Sequence, residues 1–235
     1  MPKASNMRKV NWHEGLANAS FEWAAQCTAR HRARFGSTPE ALCGFNGFPQ
    51  IAENMYISTL REYDDTDADE WLPYAIQIWA NESHAFTYPH NCSQGQLCSH
   101  FTQMIWADTD YVGCGMAECS GVEGFRPVRS IVVICTYGMG GNLYVNSKAV
   151  RPYKIGRPCS SCARGNPGCE NGLCSGQGAW RCRDKNKRKC AYLIRVIKDF
   201  CNPCNLYNYQ AWRECRKSCG WCEFKSLQSI AAIEV

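Results

Sequence analysis

At 235 residues, with 45% hydrophobic and 12% aromatic residues, the chain can bury a substantial core and is excluded from the disordered and fibrous classes. Its 18 cysteines, about 8% of the chain, mark a disulfide scaffold made in an oxidising compartment, hence a secreted protein. The net charge of +5 conceals a split: residues 1–150 carry 10 Lys and Arg against 15 Asp and Glu, whereas residues 151–235 carry 16 against 6, a basic tail suited to anionic extracellular surfaces and not to nucleic acid.

No stretch approaches ~20 consecutive apolar residues, so no membrane span is expected. The opening MPKASNMRKVNW lacks the apolar leader of a secretory signal peptide, as expected of a mature or truncated chain or of an incomplete gene sequence. VNWHEGLANASFEWAAQCTARH repeats Trp12, Leu16, Ala19, Trp23, Cys27 and His31 at steps of three and four, which predicts a helix with His31 ending its inward stripe. STLREYDDTDADEW is an acidic run read as a solvated loop and helix start. ADEWLPYAIQIWANESHAF predicts a second helix, with Pro73 in its first turn and Ala75, Ile78, Trp79, Glu82 and Phe86 inward. SHFTQMIW sets His100 in an apolar run with Ser99 beside it; in a strand the two side chains point to opposite faces, which disfavours a serine nucleophile. YVGCGMAEC and VRSIVVICTYG predict core strands. The expected fold class is α/β, a three-layer α-β-α sandwich over 1–150.

RPYKIGRPCSSCARGNPGCENGLC reads as a disulfide-stapled linker, 151–178. A cysteine-rich module follows over 179–225, with a short tail at 226–235. Seven cysteines precede residue 150 and eleven follow it, so complete pairing requires at least one bridge between the halves, for which Cys43 is the candidate. A zinc ribbon is disfavoured, because two regularly separated CxxC knuckles are lacking. Sequons at Asn18, Asn81 and Asn91 suit a glycoprotein.

SHFTQMIWADTDYVGCGM and IVVICTYGMGGNLY resemble the two signature stretches of the CAP superfamily, and ASNM, IAENMY and IWANE fall in the order that family has. The linker resembles the hinge of cysteine-rich secretory proteins. CNPCNLYNYQAWRECRKSCGWC resembles the sea-anemone potassium-channel toxin (ShK) fold, with ten, three and two residues between its last four cysteines. The family's first helix is absent before ASNM, and Ala52 and Ser99 stand where glycine is usual.

The resemblance implies a central cleft tetrad of His31, Glu53, Glu82 and His100, with Zn or another divalent cation held weakly by His31 and His100. It implies bridges Cys27–Cys114, Cys119–Cys135, Cys92–Cys98, Cys159–Cys169, Cys162–Cys174, Cys204–Cys219, Cys201–Cys215 and Cys190–Cys222, leaving Cys182 for Cys43. It further implies a non-enzymatic protein that binds an extracellular target such as an ion channel or receptor, with Arg213, Arg216 and Lys217 as target-binding cations. The toxins' pore-plugging lysine and aromatic are replaced by Tyr209 and Gln210. Two alternatives remain: carriage of a sterol or fatty acid beside the aromatic stripe Trp12, Trp23, Trp71 and Trp79, and a metal-dependent or serine-type protease using the His/Glu cleft.

Overall fold

In chain order the elements are β1 (Asn11–Trp12), α1 (Glu14–Ala24), β2 (Ile51–Thr59), α2 (Ala68–Asn81), a 3-10 turn (Glu82–His84), β3 (Phe86–Thr87), β4 (Asn91–Cys92), α3 (Ser99–Met104), β5 (Tyr111–Cys119), β6 (Ser130–Gly138), β7 (Tyr144–Val145), β8 (Lys148–Ala149), β9 (Gly168–Glu170), β10 (Leu173–Ser175) and α4 (Lys187–Val196). This computed structural model describes residues 1–32, 48, 50–62, 64–145, 148–162, 168–175, 184–201, 211, 214–215 and 217–219. Cys43, Cys182, Cys204, Cys222, Arg213 and Arg216 lie outside the described residues.

A four-stranded mixed sheet, in the order β1-β5-β6-β2, forms the middle layer; β1 runs parallel to β5 and the other pairs are antiparallel. β6 is buried at every position because helices cover both of its faces, which is why Ile131 to Cys135 within it read as a continuous apolar run. Ala24, Cys119, Val122, Val132 and Ile134 fill the α1 side. Leu60, Ala75, Trp79, Ile131, Val133, Cys135 and Tyr137 fill the α2 side. The expected three-layer α-β-α sandwich is thereby realised.

α1 sits on the sheet through small residues. Leu16, Ala17, Ala19, Ser20 and Ala24 are buried, and the Ser20 hydroxyl lies 2.7 Å from the Thr136 hydroxyl of β6. The predicted stripe needs correction: Trp12 belongs to β1 and is 50% exposed, and Cys27 and His31 lie beyond the end of the helix. Gly113 and Gly115 of β5 lack side chains and so let the helix backbone rest on the strand, with Trp23 packed at the core edge and Phe21 turned outward.

His13 caps α1, its Nδ1 accepting from the Leu16 N–H at 3.2 Å, which requires a neutral imidazole. Desolvation by burial holds its pKa below the ordinary 6.5. Folding therefore favours the uncharged ring, and its contribution is present above pH 6.5 and is lost as pH falls through 6.5 toward the folded-state value. Urea midpoints measured on both sides of pH 6.5 are expected to fall on the acid side, and His13→Asn, which keeps a cap acceptor but does not titrate, is expected to flatten part of that slope. An unchanged slope in the variant would show that His13 is not the sensor.

α2 starts earlier than predicted. Asp67 caps it through the Asp69 N–H at 2.9 Å, and Asp69 and Glu70 complement the positive helix start, so Pro73 stands inside the helix and not in its first turn. SHFTQM is a helix, α3, and not a strand.

Three predicted bridges are present: Cys92–Cys98, Cys159–Cys169 and Cys162–Cys174. Two in the sandwich are exchanged, because Cys114 faces Cys135 in the β5–β6 register on the α2 side, while Cys119 lies on the α1 side and takes Cys27. In the C-terminal module Cys190 of α4 pairs with Cys215 and Cys201 pairs with Cys219, displacing the expected Cys190–Cys222, Cys201–Cys215 and Cys204–Cys219. The reason is local: Cys190 and Cys215 are buried together with Phe200 and Ala211, and the Cys219 N–H bonds the Cys215 carbonyl, placing Cys219 one turn on, beside Cys201.

The segment read as a linker is docked. Ser5 N–H donates to the Lys154 carbonyl at 2.8 Å, and the Cys174 N–H donates to the Met7 carbonyl at 2.7 Å. Lys9 Nζ reaches Glu170 Oε1 at 2.6 Å. The β9–β10 hairpin, pinned by its two disulfides, thus supplies backbone partners to Met7 and Lys9, while Lys154, Gly156 and Ser161 supply those of Lys3 and Ser5.

Candidate functional site

Glu53 pairs with Thr136 in the β2–β6 register and so points to the α1 face, where its side chain is 3% exposed. Its Oε2 accepts from the Arg32 N–H at 3.0 Å and stands 3.6 Å from His31 Nδ1; its Oε1 lies 3.5 Å from Arg32 Nε. The Arg32 guanidinium also donates to the Ala19 carbonyl and lies 5.4 Å from the centre of the Trp23 ring. Glu53 thus gathers the chain leaving α1.

Glu82 does comparable work on the other face. Its Oε1 accepts a hydrogen bond from His100 Nδ1 at 2.6 Å, and its Oε2 accepts from the backbone N–H groups of His100 at 3.1 Å and Phe101 at 3.0 Å. The carboxylate therefore caps the start of α3 while orienting the imidazole, which stacks on Trp79 at 5.9 Å. Asn54, 1% exposed, donates to the His100 carbonyl and to the Tyr137 hydroxyl, each at 3.1 Å. Burial pushes the Tyr137 hydroxyl far above its ordinary pKa, so it stays protonated.

The four residues of the expected tetrad come together as two pairs, His31 with Glu53 and Glu82 with His100. Strand alternation separates them: Glu53 faces α1, whereas its neighbour Asn54 faces His100 and the α2 side. Among the described residues, the only three or more His, Cys, Asp or Glu ligand atoms lying within 4.8 Å of one another are those of Cys159, Cys162 and Cys174, all of them in disulfides. Each imidazole serves a carboxylate within the fold, His31 that of Glu53 and His100 that of Glu82. Nor is a serine, threonine or cysteine side chain hydrogen-bonded to either imidazole among the described residues.

Several buried polar groups escaped the sequence reading. Gln103, inside SHFTQMIW, donates to the Thr109 hydroxyl at 3.2 Å and accepts from the Gly141 N–H at 2.7 Å, tying α3 to the turn after β6. Its signal was a lone amide in an apolar run. Arg8, 7% exposed, reaches Asp110 Oδ1 at 2.6 Å and the Asp108 carbonyl at 3.1 Å. Nothing in the local spacing announces that pair.

A cavity of about 400 Å³ opens beside α3, walled by Phe86, His90, Leu97, Trp106, Leu143 and Tyr144. None of the aromatic stripe Trp12, Trp23, Trp71 and Trp79 lines it. Trp79 is core, and Trp23 and Trp71 pack on opposite sides of the sheet. Asn18, Asn81 and Asn91 are all exposed, as glycan acceptors must be.

Residues 3–137 match the family described as "CAP: Cysteine-rich secretory protein family". Human Peptidase inhibitor 16 is 32% identical over 200 residues, covering 85% of this chain and 37% of that protein. Guinea-pig (Cavia porcellus) Cysteine-rich secretory protein 2 is 35% identical over 181 residues, covering 74% of this chain and 62% of that protein. The chain thus spans less than two thirds of these relatives' length. Among solved structures, Na-ASP-1 matches with TM-score 0.57 and 26% identity over 74% of this chain and 39% of that one. NaASP2, whose structure was determined with Zn2+, matches with TM-score 0.53 and 25% identity over 74% of this chain and 80% of that one. With more than half of its length matched and its sandwich shared with Na-ASP-1 and NaASP2, the chain belongs to the CAP family of cysteine-rich secretory proteins.

Proposed function

We propose that the protein is secreted and acts by binding an extracellular target, an ion channel or receptor, through its basic C-terminal module, and not by turning over a substrate. The observation carrying this reading is the charge split: residues 151–235 hold 16 Lys and Arg against 6 Asp and Glu in a disulfide-stapled unit, with Lys217 exposed. Such a unit meets an anionic vestibule with its geometry already fixed, so little ordering entropy is lost on binding. The engagement of both imidazoles by carboxylates supports a structural role for the His/Glu pairs.

The test is whole-cell recording from cells expressing voltage-gated potassium or calcium channels, with the full disulfide-bonded chain applied outside. Reversible current reduction is expected, weakened by Lys217→Glu and by raised ionic strength. Unchanged currents across both channel classes at micromolar dose would remove channels as the target.

A second reading, carriage of a sterol or fatty acid, is supported by the cavity beside α3, whose volume and apolar walls suit a small lipid. Mass spectrometry of organic extracts from the purified protein discriminates it. Lipid that disappears in Leu143→Trp assigns the ligand to this cavity, and a clean extract counts against carriage.

A further inference from the structure

α4 turns Cys190 and Leu193 toward the Phe200 core, joined there by Ile197 at its C-terminal cap. Its outward surface carries Arg188, Tyr192 and Arg195 at steps of four and three, with Val196 one turn beyond Tyr192. Tyr192 is 56% exposed and Val196 48% exposed, large values for residues of that character beside a packed core. The helix KRKCAYLIRV contains no acidic residue. Lys189 is engaged by Glu214 at 2.7 Å, whereas Arg188 and Arg195 have no acidic partner among the described residues. Two guanidinium groups with no acidic partner among the described residues thus run beside an exposed tyrosine and valine on one helix.

We propose that this face of α4 seats the protein on anionic membrane surfaces, Arg188 and Arg195 meeting lipid phosphates while Tyr192 and Val196 enter the headgroup layer. Guanidinium groups bind phosphate oxygens in a two-pronged geometry, and an amphipathic tyrosine is at home where one end is apolar and the other wet. A basic helix lacking acids but bearing exposed apolar side chains has the composition of an interfacial element. A purely polyanionic partner such as a sulfated glycan would satisfy the arginines and leave Tyr192 and Val196 unused. The inference requires only lipid and is independent of the channel reading: surface attachment would concentrate the protein near membrane proteins whatever the target.

The test is cosedimentation of the full disulfide-bonded chain with vesicles of phosphatidylcholine containing phosphatidylserine, against vesicles of phosphatidylcholine alone. Binding is expected to the first and not to the second. The Arg188→Gln, Arg195→Gln double variant is expected to lose affinity about thirtyfold, since each basic residue at an anionic surface contributes about fivefold. Tyr192→Ser with Val196→Ser should leave only binding that salt removes. Lys3→Gln with Lys148→Gln removes two exposed charges from the sandwich and should leave binding unchanged. Equal binding to both vesicle types, an α4 double variant that binds like the parent, or a sandwich control that loses as much as the α4 variant would each overturn the proposal. All substitutions are at exposed positions, and unaltered urea midpoints confirm that the variants fold. The vesicles hold no protein, so their result cannot be confused with failure of the channel reading.

Discussion

Glu82→Ala is expected to destabilise the folded chain by about 4 kcal/mol, because it strips three partners at once from a carboxylate in a nearly closed site. The Glu82 side chain is 13% exposed and the His100 side chain 17%, so water cannot easily replace what is lost. Two backbone N–H groups at the start of α3 would be orphaned, and the imidazole N–H at Nδ1 would lose its acceptor at 2.6 Å. Loss of a helix cap alone costs about 1 kcal/mol, and leaving further poorly solvated N–H donors without an acceptor, at about 1–3 kcal/mol each, raises the total to several. Glu82→Gln keeps an oxygen for the backbone amides and gives up the charge, so about half the loss should remain. Urea midpoints of the three proteins, with amide exchange read at His100 and Phe101, check the assignment. A cost under about 1 kcal/mol for the alanine variant, with exchange at those two amides unchanged, would sink the capping role.

That role bears on how much of the site the sequence carried. The resemblance named His31, Glu53, Glu82 and His100, and the structure joins them pairwise, His31 to Glu53 and Glu82 to His100. The separation of the pairs follows from period-two alternation in β2: Asn54 is adjacent to Glu53 and contacts His100, so Glu53 itself must face away. The same parity governs the disulfides. Cys114 and Cys119 are an odd number of residues apart on one strand, hence on opposite faces, and cannot exchange partners across the sheet. The β5 and β6 segments are legible because their apolar runs are bounded by glycines and turns, whereas the stripe predicted for α1 holds at Leu16, Ala19 and Trp23 and fails beyond the helix ends, at Trp12, Cys27 and His31. Arg8 and Asp110 had no local signal at all, being 102 positions apart, and only the fold brings them together.

Gly113→Ala is expected to cost on the order of 4 kcal/mol, or to prevent accumulation of folded protein, although it adds a single methyl group. A Cβ at Gly113 would meet the Ala17 backbone nitrogen, and it would stand 2.6 Å from both the His13 carbonyl oxygen and the Leu16 carbonyl carbon. All three are main-chain atoms at the first turn of α1, so no rotamer change relieves the contact and the helix must lift from the sheet. Lifting α1 would break the Ser20 contacts to the Gly113 carbonyl at 2.9 Å and the Thr136 hydroxyl at 2.7 Å, and would open the Ala24, Val132 and Ile134 packing behind them. Ala17→Gly in the same chain should not rescue it, because the obstruction is backbone and not the Ala17 side chain. Gly95→Ala supplies the contrast: that glycine has φ +74 but nothing within 4 Å, so only the left-handed backbone term of about 1 kcal/mol should appear. Urea unfolding of the two single variants separates the cases. Equal midpoints for Gly113→Ala and Gly95→Ala would mean that α1 does not rest on β5 as closely as the geometry requires, and with it would go the explanation of why Trp12 and Phe21 stand in solvent while the small residues of α1 face the core.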